Sequence, residues 1–329
     1  MKNEKMRAVQ YSKYGSPDVL FESTISKPVI KEGELLIRIH GSSVNSMDTL
    51  FRSGKIKTLT GKEFPKGTGV DFSGEIVEVG SSVKEYQPGD KVWGMLPMNL
   101  RSPIGSAAEY VAVAPEKISK SPNKVDLLQA AALPGVGATA IIALKYKAKL
   151  RKGEQLLVRG AGGGVGSIAI QVGKMLGAHV TALANEKHLT SLKKLGADEV
   201  YDYKKTSSTD LKKFDVVMDT VGTDLKHYRA LLAKNGRMVT IGFPNLTSLA
   251  YIVSSSIYGS RRVRVFSANP KSKLLKELAY YVDLDEVIPV VDSIYSLSDS
   301  AKAHHSLEAG GGLGKRIINI IEKKDSLSK

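Results

Sequence analysis

The run Gln155-Leu156-Leu157-Val158-Arg159-Gly160-Ala161-Gly162-Gly163-Gly164-Val165-Gly166-Ser167 reads as an apolar strand, a glycine loop and the opening turn of a helix. Glycines there permit a tight turn and let the backbone approach a pyrophosphate. The free amides at the start of the helix then meet the negative charge. A merely flexible loop is the alternative, but this run follows an apolar strand, opens a helix and sits within a series of strand–helix units. The contacts expected at such a dinucleotide site are Gly160, Ala161, Gly162, Gly163, Gly164, Val165 and Gly166.

The end of the next strand selects the cofactor. A carboxylate there would bind the adenosine ribose diol of NAD, whereas a cation would favour a 2′-phosphate. The strand His179-Val180-Thr181-Ala182-Leu183-Ala184 ends in Asn185, with Lys187 and His188 close behind, so NADPH is the expected cofactor. Glu186 complicates this choice; it also suits the first turn of a helix, where the dipole favours an acid.

The 329 residues contain no cysteine, which removes thiolate nucleophiles, iron–sulfur clusters and Cys-based zinc sites and fits a reducing compartment. The amino terminus lacks the apolar core of a signal peptide, so a cytoplasmic protein is expected. Leu127 to Leu144 is the most apolar stretch, but Gln129, Pro134, Gly135 and Gly137 interrupt it, and it reads as a buried helix–turn–helix rather than a membrane span. The formal charge of +15 is spread in single and paired basic residues with no run of five. A solvated basic surface is therefore expected, rather than a nucleic-acid or membrane site.

Around these residues the chain changes rhythm. The first ~120 residues carry short strand candidates at 35–40, 74–80, 91–95 and 109–114, punctuated by glycine as in a compact β-barrel. From about Val125, strands at 155–159, 179–184, 214–219 and 237–242 alternate with helical patterns at 165–176, 187–195 and 225–233, the rhythm of a parallel sheet covered on both faces. The end of the chain adds a helix at 274–284, a second helical stretch and a strand at 316–321.

Together with the glycine loop, three further groups of residues resemble the medium-chain dehydrogenase/reductase superfamily, most closely its zinc-independent quinone oxidoreductase branch. They are Ser42-Ser43-Val44-Asn45-Ser46-Met47-Asp48-Thr49-Leu50-Phe51-Arg52-Ser53-Gly54, the run Gly67-Thr68-Gly69-Val70-Asp71 continuing to Gly80, and the closing Gly314-Lys315-Arg316-Ile317-Ile318. The resemblance spans nearly the whole chain. It implies an α/β fold in which a Rossmann doubly wound parallel-sheet domain is inserted into a GroES-like β-barrel catalytic domain. The expected division is 1–124 for the first part of the catalytic domain, 125–266 for the NADP(H)-binding domain and 267–329 for the return segment. It also implies a homodimer formed through the Rossmann sheet.

Zinc-dependent relatives write Gly-His-Glu where this chain has Gly69-Val70-Asp71, so no metal site is expected. Without that Lewis acid, alcohol oxidation becomes less favourable. Hydride addition to a quinone or to the C=C bond of an α,β-unsaturated carbonyl needs only hydrogen-bond donors and a proton source. The alternatives are an enoyl-thioester reductase, or a non-catalytic NADPH-binding protein with RNA or membrane affinity. By resemblance, Asn45 lies near the nicotinamide and orients substrate or ring, while Asp48 and Arg52 form a pair bracing that loop, catalytic or structural. Thr139 stands beside the nicotinamide ribose, Asn185, Lys187 and Tyr203 surround the 2′-phosphate, and Gly222, Gly242 and Phe243 complete the cofactor contacts. Leu50, Phe51, Trp93, Met95, Tyr251 and Tyr258 are the candidate pocket walls. Leu50 stands where some relatives carry an acid tyrosine, which leaves the proton donor unassigned.

Overall fold

The computed structural model describes residues 4–97, 102–242, 246–257, 263–266 and 268–321. Six parallel strands form one sheet in the order Glu199–Asp202, His179–Ala184, Gln155–Arg159, Phe214–Asp219, Leu232–Thr240, Val263–Val265. Counted from the glycine-loop strand, this is the 3-2-1-4-5-6 order of a doubly wound dinucleotide-binding sheet, which reverses direction between the first and fourth strands. Its central strands are apolar along their whole length because helices cover both faces: Leu156, Leu157 and Val158 are fully buried, as are Val216, Val217 and Met218. The helix Gly164–Met175 lies against this sheet through Ile168, Ala169 and Val172. Gly173 lets it come close, since a Cβ there would stand 2.6 Å from Leu156 Cδ2.

A second sheet of seven strands is built around Leu35–Ser43 and Asp71–Val79, which pair antiparallel. The strand Lys315–Asn319 pairs antiparallel with Leu35–Ser43 and parallel with Val291–Ser296, so the end of the chain completes a sheet begun near its start. Ile37, Ile39, Phe72, Ile76, Val92 and Ile118 fill its core. A small third sheet joins Leu20–Ser26, Lys5–Tyr11 and Lys66–Gly67. The two large sheets meet at the glycine loop, where Gly163 and Gly314 form a parallel bridge and the Gly314 N–H donates to Gly162 O at 2.9 Å.

Strands 155–159, 179–184 and 214–219 have the bounds their apolar runs predict. The helical pattern at 225–233 does not persist: the helix is Leu225–Ala230, and Leu232 already pairs with Phe214 in a strand whose register shifts before Arg237. Burial of Leu231 and Leu232 beside the sheet overrides the helical period there. The stretch 127–144 forms the helices Leu127–Ala130 and Pro134–Ile141, and the second runs on into a π-helical turn at Ile142–Lys147. Among the described residues, no helix is long and apolar enough to cross a membrane.

Candidate active site

The glycine loop occupies the point where the parallel sheet reverses, the usual place for a ligand in this architecture. Gly160 has φ +74°, and a Cβ on it would stand 2.3 Å from Thr220 Oγ1; a Cβ on Gly166 would stand 2.3 Å from Gly160 O. These two positions are closed to side chains from within. Gly163, by contrast, has no atom nearer than 3.4 Å to where its Cβ would be, so the outer face of the loop is open beside the first, unpaired amides of the following helix. Beneath the loop, Arg159 lies 3.2 Å from buried Asp219, whose other oxygen accepts from Gly222 N at 2.8 Å and Thr240 Oγ1 at 3.1 Å. Burial raises the Asp219 pKa, opposed by the Arg159 charge and these donors. The network ties together the ends of three strands and sets Gly222, at φ +84°, against Gly242, whose Cβ would stand 2.7 Å from the Val221 carbonyl carbon. A cradle of backbone amides that stays open at Gly163 fits the pyrophosphate of a dinucleotide.

At the far end of the next strand, Asn185 Oδ1 accepts the Lys187 N–H at 3.2 Å. Lys187 is exposed and its Nζ lies over the Gly311 backbone, 3.6 Å from where a Cβ would stand. Glu186 is turned to Lys205 Nζ, 2.8 Å away, so its charge is neutralised at the surface. Tyr203, half exposed, follows the neighbouring strand and donates its N–H to Ala184 O at 3.0 Å. The structure therefore brings Asn185, Lys187 and Tyr203 to adjacent strand ends. Thr139 Oγ1 bonds within its own helix to Gly135 O at 2.6 Å.

A buried polar cluster sits at the side of the seven-stranded sheet that faces the glycine loop. Asn45, just before the helix Ser46–Ser53, donates from Nδ2 to Ser43 O at 3.2 Å and to Asp71 Oδ2 at 3.1 Å. Its Oδ1 accepts from Lys315 Nζ at 2.6 Å. Lys315 Nζ also donates to Val44 O at 2.9 Å and lies 3.7 Å from Asp71 Oδ2. Lys315 is 5% and Asp71 0% exposed. The lysine stem runs along the glycine loop, so that a Cβ on Gly164 would stand 2.7 Å from Lys315 Cδ. Burial lowers the Lys315 pKa, and the charges of Asp71 and Asp48 oppose that fall. Asp71 Oδ1 has no partner among the described residues, and a Cβ on Gly135 would stand 2.7 Å from it. Both amide hydrogens and the oxygen of Asn45 are thus committed within the protein, where the sequence suggested a group free to orient substrate.

Asp48 and Arg52 do not pair with each other. Asp48 Oδ2 accepts the Asn45 N–H at 2.8 Å, whereas Arg52, also buried, reaches Glu308 on the helix Ser300–Ala309 and the Gly15 carbonyl. The i, i+4 spacing would allow an ion pair, but each side chain is drawn to a partner on a different element. Asp48 and Phe51 line a cavity of about 230 Å³ with Tyr11, Thr68, Val70 and Leu96 among its other walls. Leu50 is half-buried outside that lining. Trp93 is fully buried with its N–H on Ser119 Oγ at 2.7 Å, and Met95 is buried in the sheet, so both are core rather than wall. Tyr251 sits on the helix Leu246–Ile257 near Arg229, over the parallel sheet and away from the cavity. Phe243 and Tyr258 lie outside the described residues. Sequence reasoning missed Tyr11, Asp71 and Lys315. For the last two, a charged residue heading an apolar strand was the available signal. Among the described residues, no three His, Cys, Asp or Glu side chains converge as metal ligands.

Residues 31–123 match the model of the alcohol dehydrogenase GroES-like domain, and 195–318 match that of the zinc-binding dehydrogenases. The chain is 33% identical to the chloroplast envelope quinone oxidoreductase homolog of Arabidopsis thaliana, covering 97% of this chain and 99% of that protein. It is 34% identical to the chloroplastic NADPH-dependent alkenal/one oxidoreductase of the same plant, over 97% of this chain and 80% of the relative. Among solved structures, the quinone oxidoreductase from Coxiella burnetii superposes with a TM-score of 0.88 at 30% identity, covering 97% of this chain and all of that one.

The cluster makes a stability prediction. Lys315→Met keeps a stem over Gly164 but strips Asp71 and Asn45 Oδ1 of their cation. Unfolding in urea should show a loss of about 3–5 kcal/mol, the range for breaking a buried ion pair from one side; a loss under about 1 kcal/mol would mean that the lysine does not hold the cluster.

Proposed function

The chain belongs to the medium-chain dehydrogenase/reductase superfamily, and we propose that it acts there as an NADPH-dependent reductase moving hydride to a quinone or to the C=C bond of an enone or enal. The observation that carries this reading is a continuous line of contacts. The phosphate-type loop touches Lys315 at Gly164, Lys315 bonds Asn45, Asn45 bonds Asp48, and Asp48 lines the cavity. A cofactor seated on the loop would thus have its reacting end beside a substrate-sized hollow. The proposed division of labour gives 1–124 and 267–329 to substrate and 125–266 to the cofactor.

When bound, the cofactor supplies hydride, and the chain's own residues supply placement and charge. Gly160 to Gly166 leave room for the pyrophosphate, with Gly222, Gly242 and Thr139 around the rest of the molecule. Lys187, with Asn185 and Tyr203, favours a 2′-phosphate and so NADPH over NADH. Asn45 is a hub that fixes Asp48 and Lys315 relative to each other, and Arg52 anchors the same helix to Glu308. Reduction without a metal is supported by Val70 and by the cysteine-free sequence, and it suits acceptors whose negative charge after hydride addition is delocalised.

A homodimer through the parallel sheet is supported by Leu249 and Val253, exposed one helical turn apart on Leu246–Ile257, and by exposed Val265 on the adjoining edge strand. We assign the protein to the cytoplasm, with no nucleic-acid or membrane partner for its dispersed positive charge.

Three outcomes test these assignments. The protein should oxidise NADPH when given 9,10-phenanthrenequinone or an alkyl vinyl ketone in the presence of a chelator; no turnover above background with either class would defeat the enzymatic reading. Lys187→Ala should weaken NADPH binding roughly 10-fold or more, as a lost charge-assisted contact does, with NADH little changed. Equal loss for both cofactors would remove the lysine from the 2′-phosphate. In sedimentation velocity the wild type should run as a dimer and Val253→Glu as a monomer; a wild-type monomer would overturn the interface.

A further inference from the structure

Two polar side chains in the cavity wall have bonding capacity that the other described residues do not use. Tyr11, on the strand Lys5–Tyr11, is buried and lines the cavity, and its hydroxyl makes no hydrogen bond with a described residue. Asp48 is 3% exposed and lines the same hollow. Its Oδ2 is fixed by the Asn45 N–H, while its Oδ1 accepts no hydrogen bond among the described residues. Polar atoms left this way in a wall they share with Phe51, Val70, Leu96 and Thr68 call for a ligand or water to satisfy them.

We propose that Asp48 is the acid that supplies the proton completing the reduction, and that the Tyr11 hydroxyl holds the substrate oxygen beside it. This rests on the reading of the cavity as the substrate site. Hydride addition to the β-carbon of an enone, or to one oxygen of a quinone, sends the conjugated π pair onto the remaining carbonyl oxygen, giving an enolate or a hydroquinone monoanion. The O–H bond of the Asp48 carboxyl then breaks and its proton passes to that anion, at the α-carbon of an enone or the oxygen of a quinone. The carboxylate left behind takes a proton from water.

The surroundings suit the role. Burial is the main influence and pushes the Asp48 carboxyl up to about 7, with Asp71 adding to the rise and Lys315 and the Asn45 donors opposing it. Tyr11 is raised in turn, chiefly by burial and also by Tyr14 and Asp48, against the lowering effect of Arg52. An acid that titrates near neutrality carries a proton and can also part with it, which is the condition for efficient general acid catalysis. Asp48 is protonated below its pKa, so activity should fall as pH rises through it.

Asp48→Asn keeps an acceptor for the Asn45 N–H but has no proton to give. With 9,10-phenanthrenequinone or an alkyl vinyl ketone, kcat should fall by about 100-fold, the lower end of what general acids contribute, while substrate KM changes little. The decline of kcat/KM above neutral pH in the wild type should vanish in this variant. Tyr11→Phe should instead raise KM. Independently of turnover, the carboxyl 13C resonance assigned to Asp48 by its loss in Asp48→Asn should titrate near pH 7 in the wild type. A midpoint below 5, or an Asp48→Asn enzyme with wild-type kcat and pH profile, would overturn the proposal while leaving the reductase reading intact. A wild type without turnover would overturn that reading itself.

Discussion

The site depends on one buried cation. Lys315 leaves the final strand of one sheet, runs along the glycine loop of the other and ends among Val44 O, Asn45 Oδ1 and Asp71. A lone ammonium in that place would cost several kcal/mol in lost solvation, so it persists only because those oxygens surround it. The constraint runs both ways. Its partners fix the angle at which Asn45 enters its helix, and hence the position of Asp48 at the cavity. The same stem limits how far the two sheets can part at the Gly163–Gly314 bridge.

Charge inside the protein is arranged with more care than charge outside. Most of the lysines behind the net +15 are solvated, and surface pairs such as Lys205 with Glu186 contribute little individually. Buried cations are coupled: Arg159 with Asp219 under the loop, Arg52 with exposed Glu308 on another helix, and Lys315 with Asp71 on strands that flank Leu35–Ser43 in the same sheet.

The parts of this arrangement that are local were legible in the sequence. The glycine loop announces itself because a tight turn beside a phosphate leaves no room for Cβ atoms, and the buried parallel strands announce themselves as unbroken apolar runs. The cluster was not legible in the same way. Tyr11, Asp48, Asp71 and Lys315 are brought together by sheet pairing between distant segments, and no period or spacing records that. Trp93 misled for the opposite reason: a large aromatic is as fit for a core as for a pocket, and only its bond to Ser119 decides. The pairing of Asp48 with Arg52 that the resemblance implied does not form, because partners on other elements draw the two side chains apart.

On this reading hydride passes directly from the cofactor to an activated acceptor. The most direct test supplies NADPH deuterated at nicotinamide C4 to the chelator-treated protein with an alkyl vinyl ketone, and locates the label in the product. Deuterium at the β-carbon of the saturated ketone, on the correctly labelled face of the nicotinamide, is the predicted result. A saturated product without deuterium from either face, or an alcohol with its C=C bond intact, would rule out direct hydride transfer to the C=C bond.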